Sequence, residues 1–194
     1  KVRLMYPMIS GRAEYVAANA LLEEAKSELR ERGEAFDEEI GVGSMIEIPS
    51  AAYTSDILAQ TCGFFSIGTN DLIQYMLAAD RMNDRIAHLY DASHPAILRA
   101  IKQVIDAADA RKIPVSICGE MASDPRYTAL LVGLGAHELS VAAPLLPEIN
   151  YLIRMMDSKS AKMLAEEALN LDDPVAITEL VSSFHKALLA DVIE

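Results

Sequence analysis

Five short runs of mostly apolar residues recur along the chain, and patterns typical of amphipathic helices separate them. Strand-length runs that are apolar almost throughout are typical of parallel strands buried on both faces. Their alternation with helices predicts βα units around a parallel sheet. The runs are VRLMYPM (2–8), GVGSMIEIP (41–49), FFSIG (64–68), PVSICGE (114–120) and HELSV (137–141).

Helix start and stop signals lie between these runs. Ser10 is a plausible N-cap for a first helix that Gly33 closes. Pro95 enters a later helix in its first turn, Asp124 begins another, and Asp173 opens the last one. After the fifth run the pattern is helical only, so the sheet is expected to end there.

The number of runs suggests part of a barrel. A closed (β/α)8 barrel has eight strands in about 250 residues, whereas this 194-residue chain has five strand-like runs and then terminal helices. We interpret it as a single partial domain, residues 1–194, containing about the last five βα units of a TIM-type barrel. The earlier strands would lie upstream of Lys1. A doubly wound open sheet is the alternative, because strand count does not separate the two.

The composition excludes several classes of partner. Seventeen Lys and Arg against 29 Asp and Glu give a net charge of −12, which argues against binding nucleic acid or an anionic membrane. An anionic substrate must therefore be held by local basic groups. Two cysteines, Cys62 and Cys118, are too few for a disulfide framework and indicate the cytoplasm. No apolar run approaches the roughly 18 residues that cross a bilayer, so no membrane insertion is expected.

Polar residues follow three of the runs, where the chemistry of parallel α/β folds gathers. Glu47 follows the second run, Asn70 and Asp71 the third, and Cys118 with Glu120 ends the fourth. Two carboxylates on one edge are a reasonable Mg²⁺ site, because that ion takes one or two carboxylates plus water and substrate oxygens. Alternatively, Glu47 is a solvated strand-end residue, and Asn70 and Asp71 form an Asx turn or N-cap.

Two further residues have both a structural and a chemical interpretation. Cys118 is either a small core residue or, at a catalytic edge, a proton donor or nucleophile. Arg81 is either a surface residue or a bidentate ligand for phosphate or carboxylate. His94, before Pro95, is interpreted as part of a helix start. The chain has no Gly-rich phosphate loop, so an ATP or NAD site of its own is not expected.

Four motifs together resemble a known family. SIGTNDLIQYMLAADR (66–81) and ICGEMASDP (117–125), with LMYPMIS (4–10) and MIEIPSA (45–51), resemble the C-terminal phosphoenolpyruvate (PEP)-binding barrel of Enzyme I. That family comprises the PEP–protein phosphotransferases of the bacterial sugar phosphotransferase system. The resemblance runs through nearly the whole chain and is weakest in the last helix. Pyruvate phosphate dikinase and PEP synthase share the barrel and versions of the motifs.

The resemblance implies roles for individual residues. Glu47 and Asp71 would ligate Mg²⁺, while Asn70, Asp71 and Arg81 would bind PEP. Cys118 would protonate the enolpyruvate carbon to give pyruvate. In the family, the phosphoryl group passes to a histidine on a separate N-terminal domain and then to the carrier protein HPr. No residue here matches that histidine.

The resemblance also sets limits on what this chain does alone. The family's barrel supplies PEP-binding arginines from early strands that are missing here, so the chain alone is expected to be inactive. The intact parent is expected to be a homodimer. Two alternatives remain: the barrel of a dikinase or synthase, and a non-catalytic module that senses PEP or dimerises.

Overall fold

One parallel sheet organises the protein. The structure, a computed structural model, describes residues 2–190. Each strand pairs in parallel with the next one in the sequence, which gives the order β1-β2-β3-β4-β5. A doubly wound sheet reverses its strand order at a switch point, whereas barrel strands follow sequence order. The order therefore confirms the barrel type and excludes the doubly wound alternative. The strands are β1 (Arg3–Tyr6), β2 (Gly41–Ile46), β3 (Phe65–Gly68), β4 (Val115–Cys118) and β5 (Glu138–Leu139).

The sheet is strongly curled. Arg3 of β1 and Glu138 of β5 form an ion pair of 3.0 Å, although these strands are at opposite edges of the sheet. The guanidinium of Arg3 also lies 4.8 Å from the ring centre of Phe64. The concave face encloses a trough of about 480 Å³, and β1 to β5 therefore form an arc of a barrel wall. The side chains along the trough include Met5, Met45, Phe64, Ser66, Ser116 and Cys118.

Helices cover the convex face of the sheet, and three of them follow β5, as the helical pattern after the fifth run predicted. No helix within residues 2–190 is long and apolar enough to cross a membrane. Short 3-10 turns lie at Ala87–Leu89, Pro125–Tyr127 and Ala143–Leu145. The helices are α1 (Arg12–Arg32), α2 (Pro49–Tyr53), α3 (Ser55–Leu58), α4 (Thr69–Leu77), α5 (Pro95–Arg111), α6 (Glu120–Ser123), α7 (Thr128–Leu134), α8 (Leu146–Met155), α9 (Ser158–Asn170) and α10 (Pro174–Ala190).

The hydrophobic core lies between the sheet and these helices. Val115 and Ile117 of β4 are fully buried beneath the helices, whereas Ser116 and Cys118, which alternate with them, face the trough. This alternation follows from the pleat of a strand. Strand β3 is buried along its whole length, and the edge strand β1 is partly exposed. The residues at the carboxyl end of β4 are therefore rigidly supported from behind.

The ends of α1 match the sequence prediction at one terminus and differ at the other. Gly33 closes the helix in the left-handed conformation, with φ 68°, as expected for a C-terminal glycine. The prediction that Ser10 is the N-cap was wrong, because Gly11 takes that position. The backbone amide of Ser10 instead donates to Oε2 of Glu14 at 2.7 Å, so a first-turn carboxylate compensates for the missing cap.

The start of α5 was predicted correctly. Pro95 occupies the first turn, and Nδ1 of His94 accepts a hydrogen bond of 3.1 Å from the amide of Ala96. His94 is thus part of a helix start, as its position before proline indicated.

Candidate active site

The strands deliver the predicted residues to one edge of the sheet. We call this edge the carboxyl rim, the edge formed by the last residues of β1 to β5. Glu47 directly follows β2, Asn70 and Asp71 lie in the first turn of α4, and Cys118 is the last residue of β4. The register between β3 and β4 places Gly68 beside Cys118. Residues that are far apart in sequence are therefore neighbours here.

Glu47 is a buried carboxylate, with 2% of its surface exposed. Its Oε1 accepts a hydrogen bond of 2.7 Å from the amide of Met8, a residue in the left-handed conformation with φ 56°. Burial raises the pKa of Glu47; the Met8 hydrogen bond lowers it, and the charge of Asp71 raises it further. The interpretation of Glu47 as a solvated strand-end residue was wrong. A buried acid beside a second acid favours a bound cation.

Asn70 and Asp71 do not cap their own helix. Gly68 takes the N-cap position of α4 without a side-chain hydrogen bond, so the N-cap alternative was wrong. Oδ1 of Asn70 instead accepts a 2.8 Å hydrogen bond from the amide of Glu120 at the start of α6. This bond fixes the Asn70 side chain between two strand ends. Asp71 lies in the first turn of α4, at the positive end of the helix, and its charge raises the pKa of Glu47.

Arg81 extends back to the rim from the segment after α4. Its Nη1 lies 3.8 Å from Oδ1 of Asp71, which is close enough for an ion pair and too long for a hydrogen bond. This Nη1 atom is buried and has no hydrogen-bond partner among the described residues. A buried guanidinium donor without a partner is costly. An anionic ligand placed at the rim would satisfy it.

The surroundings of the Cys118 thiol favour its neutral form. Its Sγ accepts from Oγ of Ser66 at 3.6 Å and lies 3.4 Å from the carbonyl oxygen of Ile67, to which it donates. Burial raises the pKa of Cys118; the Ser66 hydrogen bond lowers it, and the charges of Glu47 and Asp71 raise it. The arrangement favours a thiol that donates a proton over a thiolate nucleophile.

The carboxyl end of β4 packs closely against the start of α4. Gly119 has φ 96° and ψ −172°, a region occupied essentially by glycine alone. A Cβ atom there would collide with Oγ1 of Thr69 and lie 2.7 Å from Oδ1 of Asn70. The Thr69 hydroxyl donates to the carbonyl of Cys118 at 2.7 Å. This close approach sets the distance between Asn70 and Cys118.

Sequence reasoning did not identify three supporting residues: Met8, Ser66 and Thr69. Ser66 and Thr69 lie within the motif around Asp71, and alternation along β3 could have placed Ser66 beside Cys118. The contact from Met8 depends on its left-handed backbone. Such a conformation is uncommon for a residue with a side chain, and no sequence pattern predicts it here.

The donor set fits a small divalent cation. Within residues 2–190, no group of three or more His, Cys, Asp and Glu side chains is arranged to hold a metal alone. Glu47 and Asp71 are nevertheless close enough for one charge to raise the pKa of the other group. Mg²⁺ commonly binds through one or two carboxylates and takes its remaining oxygens from water and phosphate. The two carboxylates are therefore compatible with Mg²⁺.

Comparison with known proteins gives matches along nearly the whole chain. The family model described as "PEP-utilising enzyme, PEP-binding domain" matches residues 1–158. The PEP-protein phosphotransferase of Haemophilus influenzae is 47% identical over 184 residues, which cover 95% of this chain and 32% of that protein. The corresponding proteins of Staphylococcus carnosus and Listeria monocytogenes are 42% and 43% identical and are covered to 32% each. The chain spans about a third of the length of these curated relatives.

A solved structure supports the fold. A citrate lyase from Burkholderia xenovorans superposes with a TM-score of 0.59 at 16% identity. The superposition covers 95% of this chain and 63% of that one. At this identity the likeness concerns the fold alone.

Proposed function

Because the chain belongs to the PEP-binding domain family of the PEP-utilising enzymes, we propose that it supplies part of a Mg²⁺-dependent PEP site. In the intact enzyme this site would transfer the phosphoryl group of PEP to a histidine and then to the carrier protein HPr, releasing pyruvate. The observation that carries the proposal is the constellation on the carboxyl rim. The buried Glu47 is close enough to Asp71 for the two carboxylates to interact, and a donor of Arg81 without a hydrogen-bond partner lies 3.8 Å from Asp71. Cys118, whose pKa burial raises, ends the neighbouring strand.

The cation would be held by Glu47 and Asp71. Bound there, Mg²⁺ would neutralise negative charge on the phosphoryl group during its transfer. The burial of Glu47 and its raised pKa support this assignment, because two neighbouring carboxylates repel each other and a bound divalent cation would offset that repulsion.

Asn70 and Arg81 would bind the phosphate directly, and Asp71 would bind it through the metal. The Glu120 amide occupies Oδ1 of Asn70, so the amide nitrogen of Asn70 is left to donate to a phosphate oxygen. Arg81 adds a planar pair of donors that suits phosphate. In a chain of net charge −12, these local donors compensate for the repulsion that an anionic substrate meets.

Cys118 would complete the reaction as a general acid. When the phosphoryl group leaves, the enolate of pyruvate remains, and its methylene carbon needs a proton. The S–H bond of Cys118 breaks as the new C–H bond forms, and the resulting thiolate is reprotonated from solvent. The raised pKa of Cys118 keeps that proton in place at neutral pH until the enolate forms.

The acceptor and the assembly belong to the intact protein. The relatives are named PEP-protein phosphotransferases, which supports a protein as phosphoryl acceptor. We propose HPr as the final carrier and a homodimer as the working form, both through the family resemblance.

The test uses the intact protein with PEP labelled with ³²P in the phosphate. HPr and AMP are offered in separate reactions, each with Mg²⁺ and with excess chelator. We expect label to appear on HPr in the reaction without nucleotide, and we expect no label on HPr when the chelator is present. Label that moves only when AMP is present would replace the proposed reaction with that of a dikinase or synthase. Equal transfer with and without chelator would contradict the Mg²⁺ assignment.

A further inference from the structure

The carboxylate of Glu47 is in contact with main-chain groups on two sides. On one side, the amide of Met8 donates to Oε1 at 2.7 Å. On the other side, Oε2 lies over Gly68: a Cβ atom added to Gly68 would be 2.7 Å from Oε2 and 3.1 Å from Cβ of Glu47. Neither contact depends on a mobile side chain, so the fold itself sets the orientation of this carboxylate.

The segment that carries the Met8 amide is anchored on both sides of its hydrogen bond. Ile9 is buried in the hydrophobic core, and Oγ of Ser50 donates to the carbonyl of Ser10 at 2.8 Å. Met8 itself has φ 56°, a conformation that a residue with a side chain keeps only when its surroundings impose it. Its side chain is exposed, so the contribution of Met8 to the rim is its amide.

Gly68 provides the space that Oε2 occupies. It is buried, and its backbone has φ −82° and ψ 87°, a negative φ that alanine also tolerates. The close approach of Glu47, and not the backbone conformation, therefore requires a residue without a side chain here. Gly68 directly precedes α4, whose first turn contains Asp71, so Oε2 lies at the start of the turn that carries the second carboxylate.

We propose that the Met8 amide and Gly68 are positioning groups that make Glu47 a monodentate ligand, with Oε2 on the cation and Oε1 on the main chain. This inference rests on the proposed function of the site. Mg²⁺ demands nearly ideal octahedral geometry, and a carboxylate that is oriented beforehand meets that demand without rearrangement. Met8 and Gly68 act through Glu47 and do not contact the substrate.

The test measures Mn²⁺ binding to the intact protein by electron paramagnetic resonance, which counts free Mn²⁺. Mn²⁺ prefers the same oxygen ligands as Mg²⁺. Met8→Pro removes the amide hydrogen and excludes a positive φ, so the dissociation constant for Mn²⁺ should rise by about 10- to 100-fold, as for other groups that orient metal ligands. Met8→Gly is its control, because it keeps the N–H, accepts a left-handed backbone and removes only an exposed side chain. It should retain wild-type affinity.

A second pair of variants tests the contact at Gly68. The methyl group of Gly68→Ala would displace Oε2 and should raise the dissociation constant for Mn²⁺ by about tenfold or more. Gly63→Ala is the matched control, because its Cβ atom would lie 2.9 Å from the carbonyl oxygen of Val42 at the amino end of the sheet. It should lower the melting temperature without changing Mn²⁺ binding. If Gly68→Ala does not fold, the two Met8 variants decide.

Wild-type Mn²⁺ affinity in Met8→Pro or in Gly68→Ala would overturn the positioning inference and leave the proposed function intact. A loss of affinity in Gly63→Ala as large as that in Gly68→Ala would assign the effect to general stability, and would overturn the inference as well. A Mn²⁺ affinity that Glu47→Ala does not change would overturn the proposed Mg²⁺ site, and this inference with it.

Discussion

The surroundings of Cys118 determine whether its side chain acts as an acid or as a nucleophile. A partly buried thiol near two carboxylates has a raised pKa, so its neutral form dominates at neutral pH. This suits an acid and disfavours a nucleophile. The distinction matters because a binding or sensing module would not need the proton of Cys118.

We predict that Cys118→Ala separates turnover from binding. Pyruvate release by the intact protein should fall by about 100-fold or more, as for the loss of a general acid. PEP binding in the presence of Mg²⁺, measured by calorimetry, should persist. Cys62→Ala is the control, because Cys62 is buried away from the rim. Unchanged turnover in Cys118→Ala would show that Cys118 is not the general acid.

The raised pKa predicts how Cys118 reacts with iodoacetamide in metal-free buffer. Because the thiolate is the reactive form, alkylation should be slow at neutral pH and should still increase above the pH at which an ordinary cysteine is fully ionised. Cys62, whose pKa is raised to about 11 and which is 5% exposed, should react later. Mass spectrometry of the labelled peptides distinguishes the two. A plateau already at neutral pH would mean that Cys118 is a thiolate.

Gly119 is the residue whose backbone sets the site most directly. Gly119→Ala should destabilise the protein by about 1–3 kcal/mol, because its conformation is strained for any side chain. The added methyl group would also push against Thr69 and Asn70. Gly11→Ala is the control, since Gly11 has extended backbone and open space around a Cβ atom. Urea unfolding of both variants measures the effect; equal stability would mean that the loop relaxes freely.

At the scale of elements, a chain of hydroxyls connects α10 to the segment before α5. Ser93→Ala would leave the Tyr127 and Thr178 hydroxyls without their shared partner. We expect a loss of about 1–3 kcal/mol in unfolding free energy, the usual result of leaving a buried polar group unsatisfied. Ser183→Ala, on an exposed position of α10, should cost far less. A loss no larger than that of the control would show that water replaces the serine.

At the scale of the whole molecule, the sequence predicts the strands better than it predicts their contacts. The five apolar runs became five strands, because continuous hydrophobicity suits a sheet covered by helices. The convergence of Glu47, Asp71 and Cys118 followed from strand direction alone. Curvature, which lets Arg3 contact Glu138, has no local signal. The same holds for the close approach of α7 and α9, where a Cβ atom on Gly133 would collide with the carbonyl of Ala161.

The open arc leads to a prediction about the chain in isolation. One side of the trough of about 480 Å³ is not closed by β1 to β5, and the chain spans about a third of the length of its curated relatives. We propose that the intact protein contributes further groups that bind PEP. The isolated chain should therefore bind PEP more weakly than the intact protein, as measured by calorimetry with Mg²⁺ present. Equal affinity would show that these five strands contain the complete binding site.

The two ends of the sheet have different roles, and this gives the protein room for engineering. The ion pair between Arg3 and Glu138 lies at the amino ends of the strands, whereas the proposed chemistry lies at the carboxyl ends. Substitutions that improve solubility or heat resistance can be concentrated at the amino end without altering the groups proposed to act on the substrate. New specificity can be sought at the opposite end on an unchanged scaffold. Natural or laboratory selection can therefore change thermal stability and substrate specificity almost independently.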